Sequence, residues 1–190
     1  MKTTKEMIKK AGTSVLIFAM ALSLFACSGG KSRKDKDEDE EEEELEIDEY
    51  SEKDIIDVLK ENDFKKSDIN HYDDSKDYNY FYAENRSVYV MYYYYDDEDD
   101  ARDMFDRYYD EYKDVKKSGN FEGDLDADYT DDAGYVFYNG EYDDKKDKWT
   151  RYGGIYYSDN MVFCIYTDRL KDRTKDNINN VLEDLGYPVP

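Results

Sequence analysis

Two aromatic runs held apart by four polar residues constrain this chain more than any other feature: Tyr78 to Ala83, then Glu84-Asn85-Arg86-Ser87, then Val88 to Tyr95. Tyr78, Tyr80 and Tyr82 recur at every second position in the first run. In the second, Tyr89, Met91, Tyr93 and Tyr95 share one parity, and Val88, Val90, Tyr92 and Tyr94 share the other. A period of two is that of a strand, and a short polar link between two such runs reads as a hairpin. Because successive strand residues point to opposite sides, phenol rings are expected on both faces of the resulting sheet.

Around this hairpin the periodicity changes. Ser51 is a good N-cap with Asp54 three residues on, and Ile55, Val58 and Leu59 follow at helical spacing, which predicts a helix from about Glu52 to Asn62. Ala101, Met104, Phe105, Tyr108, Tyr112 and Val115 predict a second helix. Its acids sit in the first turn and Lys113, Lys116 and Lys117 in the last, as the helix dipole favours. Ser118 to Asp132 reads as a polar loop. Tyr135 to Tyr138 reads as a strand that turns at Asn139-Gly140, the strongest short hairpin signal in the chain. Further strand is expected over Lys148 to Tyr157, with a tight turn or bulge at Gly153-Gly154, and over Met161 to Thr167. Ile178, Val181, Leu182 and Leu185 then line a last helix that Gly186 caps and Pro188 ends. This order predicts an α+β fold: an antiparallel sheet of about five strands with about three helices packed on one face, the other face left to water.

The N-terminus has a different character. Lys2, Lys5, Lys9 and Lys10 precede an apolar run from Ala11 to Ala26. That is the layout of a secretory signal, and the run is shorter than the roughly 20 apolar residues of a stable span. Leu24-Phe25-Ala26-Cys27 resembles the lipobox of bacterial lipoproteins. The resemblance implies cleavage before Cys27, a diacylglycerol on its thiol, and anchorage in the cell membrane on its extracytoplasmic side. The expected organisation is a signal peptide over residues 1–26, a tether over 27–49 and one domain over 50–190. Eight consecutive acids from Asp37 to Glu44 would keep the tether extended. Its partner at this end is the lipid bilayer, held through acylated Cys27.

Charge and residue types narrow the chemistry. Loss of residues 1–26, with four lysines and one glutamate, takes the formal net charge from −22 to −25. So acidic a chain repels phosphate backbones, and nucleic acid is not an expected partner. If Cys27 is acylated, Cys164 has no disulfide partner and reads as a small core residue in an apolar strand. One histidine, His71, and one thiol fall short of a zinc ligand set, and no nucleophile motif surrounds His71. Asp124, Asp126 and Asp128 begin like a calcium loop, but Tyr129 and Tyr135 stand at its glycine and closing glutamate positions, so no metal is expected. The sequence implies no cofactor and singles out no pair of carboxylates for catalysis.

What departs most from ordinary composition is tyrosine, with 22 residues in 190. Tyr92, Tyr94, Tyr80 and Tyr82 are the expected binding face for a protein or glycan, since exposed phenols offer stiff, amphipathic contact area. The expected function is therefore a non-catalytic binding domain on a membrane-anchored lipoprotein. The alternatives are a small envelope enzyme that uses carboxylates, or a ligand-free spacer. Each buried methylene of a lipid anchor adds about 0.8 kcal/mol of membrane affinity. Cys27→Ser should therefore move the protein from the membrane fraction to the soluble one, and retention in the membrane fraction would contradict the lipobox reading.

Overall fold

The computed structural model describes residues 45, 47–72 and 77–190. The lipobox residues Leu24, Phe25, Ala26 and Cys27 lie outside the described residues, as does most of the tether. Helix α1 spans Glu52–Glu61, and after a 3-10 turn the chain enters β1 (Ile69–Tyr72), β2 (Tyr78–Asn85) and β3 (Val88–Tyr95). Helix α2 covers Glu98–Ser118. Then come β4 (Phe121–Tyr129), β5 (Ala133–Asp143), β6 (Lys148–Ser158), β7 (Met161–Thr167) and helix α3 (Asp172–Leu185).

The helices end where local chemistry dictates. At α1, the Asp54 N–H donates to Ser51 Oγ at 3.4 Å. At α2, the Asp99 N–H donates to the Asp97 carboxylate at 3.0 Å, and Gly119 closes the helix in the left-handed region. Gly186 does the same for α3.

All seven strands join one antiparallel sheet in the order β1-β2-β3-β7-β6-β5-β4. Two meanders, β1 to β3 and β4 to β7, meet where β3 pairs with β7. The class is α+β, as expected, but the sheet has two more strands than anticipated. One is the short β1. The other is β4, within the segment read as loop: Phe121, Leu125, Ala127 and Tyr129 share one parity and Glu122, Asp124, Asp126 and Asp128 the other. The acids disguise the alternation, and they also shield an edge strand from pairing with another chain.

The expectation of helices on one face only does not hold. Helices α1 and α3 pack Ile55, Leu59, Ile178, Val181, Leu182 and Leu185 against Phe81, Val90, Tyr92, Phe163, Ile165 and Tyr156. Helix α2 packs Ala101, Phe105, Tyr112 and Val115 on the opposite face, against Val136, Tyr138, Ile155, Val162 and Cys164. The physical reason is that both parities of the central strands are apolar. A sheet greasy on two sides needs two covering layers. The core also starts earlier than Tyr50: Ile47 is buried and Leu45 packs on the same cluster, two residues that the expected organisation assigns to the tether.

Glycine explains the two misplaced turns. Asn139-Gly140 lies inside β5, where Gly140 opposes Gly123 of β4. A Cβ on Gly140 would strike the Glu122 carbonyl, and one on Gly123 the Asn139 carbonyl, so the pair permits a close strand approach. Likewise Gly153, at φ +142°, lets β6 run unbroken against β7, where a Cβ would meet the Ile165 carbonyl. The true β5–β6 turn is built by Asp144, whose carboxylate accepts the N–H groups of Lys146 and Asp147. Those bonds hold its acidity below the ordinary carboxylate range. Gly153→Ala should therefore cost roughly 2–4 kcal/mol of unfolding free energy. Gly119→Ala, at φ +68° with nothing near its Cβ, should cost only about 1 kcal/mol; equal losses in a denaturant titration would contradict this account.

Candidate functional site

Helix α2 lies over β3 to β7, and among the described residues no helix covers the β1–β2 side of its face. The strand register brings tyrosines to this open part. Tyr72 pairs with Tyr80, Tyr80 with Tyr93, Tyr82 with Met91, and Tyr89 with Tyr166. The rings stack across the strands: Tyr72 on Tyr80 at 5.4 Å between centroids, Tyr80 on Tyr93 at 4.6 Å, and Tyr89 against Tyr166 at 5.3 Å. Such cross-strand aromatic pairs stabilise the sheet and hold the rings stiffly. Tyr72 is 49% exposed and the others are half-buried.

Burial, then the Glu84 carboxylate that accepts the Tyr82 hydroxyl at 2.9 Å, raises the Tyr82 pKa. Burial raises Tyr80 and Tyr93 too.

The four tyrosines expected to form one surface are divided by the sheet. Tyr80 and Tyr82 lie on the α2 side, in the open row. Tyr92 and Tyr94 lie on the other side, where Tyr92 is fully buried and donates its hydroxyl to the Tyr50 carbonyl at 2.8 Å. Tyr94 is half-buried against the same cluster. Strand parity alone separates these pairs. Met91 opposes Tyr82, which puts Tyr89, Met91 and Tyr93, not Tyr92 and Tyr94, beside Tyr80 and Tyr82.

Where the row meets α2, a small cavity of about 90 Å³ is lined by Tyr108, Glu111, Tyr138, Arg151 and Cys164. The Arg151 guanidinium lies 5.2 Å from the Tyr138 ring centre, 4.9 Å from Trp149 and 5.4 Å from Tyr166, with Glu111 at 3.7 Å. The Tyr138 hydroxyl is buried with no hydrogen-bond partner among the described residues. At roughly 30 Å³ per water, the space suits about three. Cys164 is buried in β7, and desolvation pushes its thiol up to about 12, so it is not a thiolate nucleophile.

The remaining candidates lie elsewhere. His71 is on β1, on the α1 side, with Nδ1 3.0 Å from Glu52. Asp124, Asp126 and Asp128 project from one side of the extended β4, near Asn139 and Tyr135, rather than wrapping into a loop. Among the described residues no group of three or more histidines, cysteines or acids is placed to hold a metal, and no helix is long and apolar enough to cross a membrane.

No protein-family model matches the chain, and neither does any curated protein. Among solved structures, a GTP-binding regulator from Thermotoga maritima is similar at 15% identity and a TM-score of 0.38. The match covers 72% of this chain and 87% of that one.

Proposed function

We propose that this chain is a lipid-anchored extracytoplasmic lipoprotein whose α+β domain binds a protein or glycan through the open tyrosine row, without catalysis. The observation that carries the reading is the stack Tyr72-Tyr80-Tyr93, a continuous run of ring faces on a part of the sheet that no helix of the described residues covers. Stiff aromatic side chains lose little conformational freedom on binding, and rings of this kind dominate recognition surfaces. They also stack on the apolar faces of sugars. The lipobox resemblance supports an anchor at Cys27, and the acidic segment after it would set the domain off from the bilayer.

The test is affinity capture from envelope extracts by the full chain at physiological salt, beside a variant carrying Tyr72→Ala and Tyr80→Ala. Salt at this level screens the chain's surplus charge and suppresses cationic bystanders. The expected result is a protein or polysaccharide retained by the parent and held at least about tenfold more weakly by the variant, with the unfolding midpoint little changed. Equal retention by both proteins, or capture of nothing by either, would overturn the reading and favour a spacer.

A further inference from the structure

Three segments far apart in sequence meet at one end of the sheet: the residues after α1, the β2–β3 turn, and the loop from β7 into α3. They enclose a cavity of about 380 Å³, lined among others by Arg86, Arg169, Lys171 and Arg173. Two carboxylates, Asp63 and Asp176, line it as well, so the four cations leave the wall positive. The chain as a whole has 49 acids for 27 bases.

Yet among the described residues the side chains of Arg86, Lys171 and Arg173 make no ion pair or hydrogen bond. Arg169 reaches only its neighbour Asp168, at 3.8 Å. All four side chains are exposed, and Asp168 and Asp172 flank them in the chain, so water and neighbouring carboxylates temper their mutual repulsion. The cavity itself still draws in four cations against two carboxylates, a wall that an anion can share.

The walls are fastened to one another. The Asn85 side chain donates to the Asp63 carbonyl at 2.9 Å, and that of Asn177 to the Asn62 carbonyl at 3.1 Å. The Thr174 hydroxyl lies 2.7 Å from the carbonyls of both Arg169 and Lys171. Of the lining residues, Asp63 and Arg86 have positive φ, the first just past the end of α1 and the second in the two-residue β2–β3 turn.

We propose that this cavity binds a phosphate ester. Guanidinium groups pair with phosphate through two parallel hydrogen bonds, and a lysine adds a point charge. The volume falls within the range of small-molecule sites, and it leaves room beside the phosphate for a polyol or sugar facing the amide of Asn180. The ligand's phosphate comes either from a soluble ester or from the headgroup of an anionic lipid. This site is separate from the tyrosine row, so either can fail without the other.

The test uses the full chain carrying Cys27→Ser, to remove any acyl anchor, and two probes. One is glycerol 1-phosphate, followed by calorimetry. The other is phosphatidylglycerol vesicles, followed by sedimentation against phosphatidylcholine vesicles. Saturable binding of glycerol 1-phosphate, lost in Arg86→Ala, Lys171→Ala, Arg173→Ala by about tenfold per cation removed, supports a soluble ester. The same loss seen only with the phosphatidylglycerol vesicles supports a lipid headgroup. A control with Lys113→Ala, Lys116→Ala and Lys117→Ala changes the net charge equally on α2 and should bind as the parent does. The proposal falls if neither probe binds saturably, if the cavity variant binds as the parent does, or if the control loses as much.

Discussion

Buried tyrosine hydroxyls that donate to the carbonyls of irregular segments hold this domain together. Tyr92 donates to Tyr50, Tyr50 to Leu185 and Tyr187 to Asp48, while Tyr156 donates to Pro188 and the Tyr152 hydroxyl lies 2.7 Å from Asn179 Oδ1 and 3.2 Å from the Pro190 carbonyl. A buried hydroxyl without a partner costs about 1–3 kcal/mol. A core rich in phenols is therefore stable only if something polar lies at the end of each ring. Here the segments before α1 and after α3 supply it, and in exchange they are tied down over the sheet. The rings contribute apolar area and stacking, as between Tyr156 and Tyr187 at 4.8 Å, and the hydroxyls fix the termini. Tyr138 departs from this pattern on the other face, and a cavity lies beside it.

That arrangement decides which face of the sheet is available. Helices α1 and α3, with the terminal segments, close one face, so the tyrosines there serve structure. The single helix on the other face is too narrow for seven strands. The rings over β1 and β2 consequently stack on each other rather than beneath a helix, and one residue type forms both core and surface according to strand parity.

Much of this was legible in the sequence, and the failures have physical causes. Strand β3 and strand β7 start and stop where their aromatic and β-branched runs do, and the helices follow their caps and stripes. Alternation shows which residues share a face, but not which face a helix will cover, hence the misplacing of Tyr92 and Tyr94. Asn139-Gly140 has the composition of a hairpin turn, but Gly140 answers to Gly123, 17 positions away in sequence, and no local signal reports that. The cationic cavity was invisible for the same reason: Asp63, Arg86 and Arg169 to Arg173 come together only through the sheet order.

The most direct measurement is a map of tyrosine nitration in the native full chain, read residue by residue by mass spectrometry. The account predicts that Tyr72, Tyr80 and Tyr82 are modified first, while Tyr92, Tyr156 and Tyr187 stay protected until the protein unfolds. Nitration of Tyr92 and Tyr156 as early as Tyr72 would contradict the division of tyrosine between core and open row on which the structural and functional accounts both rest.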